Sequence, residues 1–106
     1  MKKIPKILSI AGSDSGGGAG IQADLKAISF HKGYAMTVLT AVTAQNTLGV
    51  QEIFPLPKEI IKKQLESVMD DLVPDVIKTG MLADQETIEL ISEFLENKKI
   101  VVDPVM

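Results

Sequence analysis

Short apolar segments that alternate with helical patterns constrain the fold of this 106-residue chain more than any other feature. The extended segments lie at 6–11, 35–44, 75–78 and 100–102, and the helical patterns run from about 21 to 33, from 58 to about 72 and from 84 to 95. Gly33 ends the first helical pattern, Pro74 follows the second, and Asp84 is placed to cap the third. This alternation predicts βαβ units with right-handed crossovers and a mostly parallel sheet.

The two later helical patterns carry apolar stripes that predict which side of each helix is buried. The stripe of segment 58–72 is Ile61, Leu65, Val68 and Leu72, and that of segment 84–95 is Ile88, Ile91, Phe94 and Leu95. A further short extended piece is predicted at 49–54, before Pro55 and Pro57. Because no helical pattern follows 100–102 and a parallel sheet needs both faces covered, we expect residues 1–106 to be the N-terminal portion of one larger α/β domain.

Composition excludes several classes of function. Eleven lysines and no arginine stand against 14 acidic residues, so the net charge of −3 lacks the excess that nucleic-acid binding needs. Without cysteine and with His31 as the one histidine, disulfides, thiol chemistry and a zinc site of this chain's own are excluded, and a reducing cytoplasm is expected. The uncharged segment 33–51 holds too many threonine and amide side chains for a membrane span.

Small, polar or acidic residues follow every predicted strand. They are Gly12, Ser13 and Asp14 after the first, Gln45 and Asn46 after the second, Thr79, Gly80 and Met81 after the third, and Asp103 after the fourth. Ligands of open α/β sheets bind outside the carboxyl ends of the strands, so this pattern predicts one composite site. The alternative is that these residues are polar only because loops generally are.

A glycine-rich loop, with four glycines among residues 16–20, leads into the first helical pattern. So many glycines favour close approach of a ligand to the backbone, whose N–H groups suit an anion; a tight strand-to-helix connection is the alternative. Gly18, Gly20 and Ala23 match G-x-G-x-x-A, but no acidic residue follows about twenty positions later to hold a ribose. A Walker A motif is excluded because no Lys with Ser or Thr follows the glycines.

Two side chains in the first half of the chain have competing interpretations. Asp24 lies beside Ile21 and Ile28 at the edge of the apolar stripe, so it either faces the site or complements the helix dipole. Gln45 offers a donor and an acceptor, which suits the edge of a heterocycle such as an aminopyrimidine; otherwise it is an ordinary loop amide.

Two charged side chains in the second half are equally open. Asp103 before Pro104 either binds Mg²⁺ or a Mg²⁺-bound water near a phosphate, or simply ends a strand. Lys78 is interpreted as a solvent-reaching or carboxylate-paired side chain rather than as a phosphate ligand.

Four sequence blocks give a specific resemblance that covers essentially the whole chain. They are AGSDSGGGAGIQADLKA at 11–27, TAVTAQNT at 40–47, VIKTGML at 76–82 and VVDPVM at 101–106. In this order they resemble the N-terminal part of the hydroxymethylpyrimidine/phosphomethylpyrimidine kinases, ribokinase-like enzymes of thiamine biosynthesis. The resemblance implies a three-layer α/β/α fold with a mostly parallel sheet, here truncated after about four strands.

The resemblance also implies an activity and a set of site residues. The activity is phosphorylation of 4-amino-5-hydroxymethyl-2-methylpyrimidine and then of its monophosphate, with ATP as cosubstrate and Mg²⁺ as cofactor. Gln45 matches the glutamine that reads the pyrimidine, with the Thr43 backbone beside it. Gly12, Ala19, Asp24 and Met81 match the remaining wall of that pocket, Val105 closes it, and Asp103 lies towards Mg²⁺ and the phosphates.

Members of this family continue beyond the matched region into a glycine-rich anion hole, a general base and most of the ATP pocket. We therefore expect no catalytic residue within residues 1–106 and no activity from this segment alone. Two alternatives stay open: a related pyridoxal kinase, and a non-catalytic binding module. The resemblance implies small-molecule partners and leaves self-association into a homo-oligomer open.

Overall fold

The computed structural model describes residues 3–82, 84–95 and 99–102. Its elements are β1 (Lys6–Asp14), α1 (Gly20–Phe30), β2 (Tyr34–Asn46), β3 (Gly49–Pro55), α2 (Lys58–Asp71), β4 (Val76–Thr79), α3 (Gln85–Phe94) and β5 (Lys99–Val102). Every predicted helix and strand is present, with boundaries shifted by a few residues. Within the described ranges, none of the helices has both the length and the apolar character needed to cross a bilayer.

The strands form one sheet in the order β3-β2-β1-β4-β5. β1 pairs in parallel with β2 and β4, and β4 pairs in parallel with β5. β3 is antiparallel to β2, from Ala41 opposite Pro55 to Asn46 opposite Gly49. The expected count of about four strands was therefore one too low, because the extended piece after Gly49 is a paired edge strand.

Helices cover both faces of the sheet, which confirms the predicted three-layer α/β/α arrangement. The larger core lies between the sheet and the pair α2 and α3, and its buried members are Leu8, Ile10, Met36, Val38, Ile61, Leu65, Ile77, Leu90 and Ile91. On the opposite face α1 packs against β1 and β2. The two layers leave the carboxyl ends of β1, β2 and β4 at a common edge.

The inward face of α3 differs from the predicted stripe. Ile88 is 43% exposed, whereas Thr87 and Leu90 are buried beside Ile91. Asp84 caps the helix by accepting a hydrogen bond from the Thr87 N–H at 2.8 Å. The helical repeat places positions 87, 90, 91 and 94 on one side. Ile88 lies about 100° further round the helix and so turns outward.

A side chain of α2 completes the outer edge of β2 where β3 does not reach. Gln64 Oε1 accepts a hydrogen bond from the Leu39 N–H at 2.9 Å, and Gln64 Nε2 donates to the Leu39 carbonyl at 3.0 Å. The neighbouring Thr40 carbonyl accepts from the Leu56 N–H at 2.9 Å. These three backbone groups are thus satisfied without another strand.

Candidate functional site

A cavity of about 340 Å³ opens at the common edge of the sheet. It is lined by Gly12, Ser13, Asp14, Ala19, Gly20, Thr43, Gln45, Val50, Ile53 and Met81. These residues come from the end of β1, the glycine-rich loop, the hairpin of β2 and β3, and the segment after β4. The structure therefore brings together five of the residues that the sequence resemblance assigned to one pocket: Gly12, Ala19, Thr43, Gln45 and Met81.

The glycine-rich loop closes around the carboxylate of Asp14. Asp14 Oδ1 accepts a hydrogen bond from the Gly16 N–H at 2.7 Å, and Oδ2 accepts from the N–H groups of Gly18 and Ala19 at 2.9 and 2.7 Å. The Gly17 N–H donates to the Asp14 carbonyl at 3.0 Å. All four N–H groups of residues 16–19 thus converge on one residue of the chain itself. Binding of an external anion by this loop stays a prediction.

Two glycines of the loop, Gly16 and Gly20, lie close to the protein's own backbone. Gly20 has φ +60°, and a Cβ there would lie 2.3 Å from the carbonyl oxygen of Gly12. A Cβ on Gly16 would lie 3.1 Å from the carbonyl oxygen of Gln45. By contrast, the nearest atom to a Cβ on Gly18 is 3.9 Å away. The loop therefore packs tightly onto the ends of β1 and β2, where the sequence had indicated close approach of a ligand.

The backbone of Gln45 is held by a serine of the same loop. Ser15 Oγ accepts a hydrogen bond from the Gln45 N–H and donates to the Gln45 carbonyl, both at 2.7 Å. Thr43 Oγ1 lies 2.7 Å from the Ser13 carbonyl oxygen and 3.1 Å from Gln45 Oε1. The backbone of Gln45 is thus held in place, and its side-chain amide lines the cavity with a donor and an acceptor to offer to a ring edge.

Sequence reasoning missed several residues that build the cavity. Gln22, in the first turn of α1, accepts from the Asp14 N–H at 2.7 Å and donates to Ser13 Oγ at 2.8 Å. Val50 and Ile53 contribute an apolar wall and are about half exposed, at 50% and 49%. Ile53 could have been found by pairing β3 with β2, which places it opposite Thr43. No feature of the sequence indicated that Gln22 contacts the end of β1.

Asp24 lies outside the lining of this cavity. Its buried carboxylate accepts a hydrogen bond from Ser9 Oγ at 2.7 Å and forms an ion pair with Lys78. It borders a neighbouring hollow that shares Ala19 and Gly20 with the cavity. The interpretation of Lys78 as a carboxylate-paired side chain is confirmed. Contact of Asp24 with a substrate stays a prediction.

Two predicted site residues, Asp103 and Val105, lie outside the described residues. Among the residues that the structure does describe, no three His, Asp or Glu side chains come together as metal ligands. The prediction that Asp103 lies towards Mg²⁺ therefore stands without a structural test.

Comparison with known proteins gives concordant matches over nearly the whole chain. The family described as phosphomethylpyrimidine kinase matches residues 14–106. A hydroxymethylpyrimidine/phosphomethylpyrimidine kinase of Bacillus subtilis is 49% identical over 106 residues, which cover 97% of this chain and 39% of the relative. Sequence and family comparison thus agree with the four blocks identified above.

Solved structures match the fold. The crystal structure of a phosphomethylpyrimidine kinase from Clostridium difficile 630 has a TM-score of 0.92 and 55% identity over 98% of this chain and 46% of that one. A pyridoxal kinase from Staphylococcus aureus, solved in complex with AMP-PCP and pyridoxal, has a TM-score of 0.90 and 42% identity. The match covers 99% of this chain and 40% of the pyridoxal kinase. These likenesses confirm the ribokinase-like fold, and the chain spans less than half the length of these proteins.

Proposed function

Since the chain belongs to the phosphomethylpyrimidine kinase family, we propose that it forms the N-terminal, substrate-binding portion of an ATP-dependent kinase. The proposed substrates are 4-amino-5-hydroxymethyl-2-methylpyrimidine and its monophosphate, on the route to thiamine. One observation carries the proposal: the cavity gathers Gly12, Ala19, Thr43, Gln45 and Met81, the described residues that the family resemblance assigned to the pyrimidine pocket, Asp24 excepted.

The chemistry of the cavity suits a single polar ring. Ala19, Met81 and Ile53 offer apolar surface to the faces of a ring, while the Gln45 amide offers hydrogen bonds to its edge. The cavity wall holds no cationic side chain among the described residues, and its one charged member, Asp14, directs its carboxylate to the loop N–H groups. A neutral ring suits this cavity better than a phosphate group does, so we expect the phosphate of the monophosphate substrate to lie outside it.

Phosphoryl transfer depends on positioning the two reactants and on stabilising the charge of the transferred group. The described residues contribute to the first of these tasks, because they form a shaped pocket that orients an acceptor hydroxyl. ATP supplies the phosphoryl group. We assign charge stabilisation and deprotonation of the hydroxyl to parts of the protein beyond this segment, which agrees with the 39% of the Bacillus subtilis relative that the chain covers.

A pyridoxal kinase is the second candidate, because the Staphylococcus aureus pyridoxal kinase has the same fold at 42% identity. Pyridoxal is also a single heteroaromatic ring with a hydroxymethyl group, so cavity shape alone does not separate the two substrates. Phosphorylation rates of the full-length protein on the aminopyrimidine and on pyridoxal decide between them. We expect kcat/KM to favour the aminopyrimidine, and a preference for pyridoxal would reverse the assignment.

Two experiments test the proposal as a whole. The full-length protein should phosphorylate the aminopyrimidine with ATP, whereas purified residues 1–106 should show no ATP-dependent kinase activity. Robust turnover by the segment would contradict the assignment of the donor side to other residues. An open reading frame that ends at Met106 would instead favour the non-catalytic binding module.

Magnesium dependence, a cytoplasmic location and self-association stay predictions. Chelation of divalent cations should abolish turnover of the full-length protein and leave binding of the pyrimidine in place, because the metal acts on the phosphates. Cell fractionation and sedimentation test the other two.

A further inference from the structure

We propose that Asp14 is a positioning residue of the substrate pocket, whose carboxylate serves as a built-in anion for the glycine-rich loop and thereby holds the Ala19 wall in place. This inference rests on the proposed function. It goes further by giving a role to a residue that touches the loop on one side and the cavity on the other.

The contacts of Asp14 are those of an anion in a backbone nest. Three N–H groups, of Gly16, Gly18 and Ala19, donate to its two carboxylate oxygens within 2.9 Å. The residue is 5% exposed, and the ion pairs found among the described residues, Lys3 with Asp75 and Lys78 with Asp24, do not involve it. Its charge is therefore met by N–H dipoles and by the N-terminus of α1.

The geometry connects this carboxylate directly to the pocket wall. Ala19, which lines the cavity, is the N-cap residue of α1, and its N–H donates to Asp14 at 2.7 Å. The next residue, Gly20, forms a bridge with Ser13 at the end of β1. Asp14 itself is fixed from behind by Gln22, which accepts its N–H. Loss of the carboxylate leaves three N–H groups without their acceptor beside the bridge that joins the wall to β1.

An anion that is part of the chain can be replaced by a free one, which gives the inference a distinctive test. In the full-length protein, Asp14→Gly should raise the KM for the aminopyrimidine by at least about tenfold, because hydrogen bonds to a charged group are lost. kcat should fall less than KM rises. Added sodium formate, whose carboxylate can occupy the vacated nest, should lower KM by at least about threefold, whereas sodium chloride at equal ionic strength should not.

A matched control uses another carboxylate that accepts backbone N–H at a helix start but lies away from the cavity. Asp84→Gly removes the acceptor of the Thr87 N–H at the start of α3. It should lower the melting temperature and leave KM unchanged, with no response to formate. An unchanged KM in Asp14→Gly, or a raised KM that formate does not lower, would overturn the inference.

Asp14→Asn keeps the inference testable if Asp14→Gly fails to fold. Asparagine retains the size of the side chain but turns one acceptor into a donor facing N–H groups, so KM should rise without formate rescue. A wild-type KM in this variant would also overturn the inference. Formate-dependent shifts of the amide resonances of Gly18 and Ala19 in Asp14→Gly report on the nest without any turnover. If the wild-type protein phosphorylates no pyrimidine while these shifts appear, the proposed function fails and the role of Asp14 in the loop stands.

Discussion

Lys78 on β4 and Asp24 on α1 form an ion pair across the interface between helix and sheet. Their side chains are 29% and 11% exposed, so solvent screens the pair only in part. Ser9 on β1 donates a hydrogen bond to the same carboxylate at 2.7 Å. One carboxylate of α1 is therefore connected to two adjacent parallel strands, immediately below the edge that carries the cavity.

Asp24→Asn should lower the free energy of unfolding by about 1–3 kcal/mol, because a partly buried charge pair loses one of its charges. Denaturant titration of the full-length protein measures this, with the exposed Asp70→Asn on α2 as the control. A double-mutant cycle with Lys78→Met should give a coupling energy of about 0.5–3 kcal/mol. A loss no larger than that of Asp70→Asn would contradict a structural role for the pair.

Asp24→Asn also distinguishes a structural role of this carboxylate from a role in substrate binding. If the carboxylate acts through the ion pair alone, KM for the aminopyrimidine stays near its wild-type value. Substrate contact, as the family resemblance implies, predicts a higher KM in addition to the loss of stability. Titration calorimetry with the pyrimidine distinguishes the two results.

Gln45→Leu should weaken binding of the aminopyrimidine by at least about tenfold, since unpaired buried polar groups of the ligand cost about 1–3 kcal/mol. Leucine keeps a comparable volume, so loss of shape contributes little. Gln85→Leu, on the exposed side of α3, is the matched amide control and should bind normally. Unchanged affinity in Gln45→Leu would show that this amide, which lies at the end of β2, has no part in binding the pyrimidine.

Gly20→Ala should destabilise the protein and damage the pocket together. Its left-handed backbone, with φ +60°, costs a residue with a Cβ about 1–2 kcal/mol. The clash of that Cβ with the Gly12 carbonyl adds to the loss and displaces the pocket wall. Gly18→Ala, with its nearest atom at 3.9 Å, should change stability by no more than about 0.5 kcal/mol. Equal melting temperatures for the two variants would show that the loop is looser than described.

The helix cap at Asp84 predicts a pH dependence of stability. The backbone N–H of Thr87, and then its hydroxyl, lower the pKa of the Asp84 carboxyl below its ordinary value of 3.8, with Lys58 adding a smaller effect. Because the folded-state pKa is the lower one, the stabilisation is complete above 3.8 and is lost as the pH falls through the folded-state value. Melting curves of wild type and Asp84→Ala should therefore differ at neutral pH and converge in acid. Asp84→Asn retains an acceptor that does not titrate. The difference in melting temperature between Asp84→Asn and Asp84→Ala should therefore not disappear in acid.

The sequence predicted the order of elements well because their periodicities are local. Lys58 after Pro57 begins α2 as expected, and Asp84 caps α3. The pairing of strands that are distant in the sequence leaves no local periodicity from which it could be predicted. β1 extends beyond Ala11 because Ser13 and Asp14 pair with residues of β2, and their polarity had marked them as loop.

The candidate site was predictable to the extent that strand ends share an edge. Gly12, Thr43 and Gln45 meet there because β1 and β2 are parallel neighbours. The partner of the loop N–H groups was not predictable, since the same excess of glycine serves an external anion and an internal carboxylate equally well. The choice of Asp14 as that partner depends on backbone dihedrals that composition does not reveal.

The two hydrogen bonds between Gln64 and Leu39 also bear on aggregation. A strand edge with free N–H and C=O groups is a template onto which an extended segment of another molecule can add. Gln64 occupies the N–H and the carbonyl of Leu39 on β2, so these two groups are not available to a strand of another molecule. The outermost strands of the described sheet are β3 and β5. On β3, Pro55 lacks a donor and Glu52 carries a charge, both of which discourage intermolecular strand addition. Gln64, a half-buried residue of the helix that packs on this face, thus removes two polar groups from the template that β2 would otherwise offer.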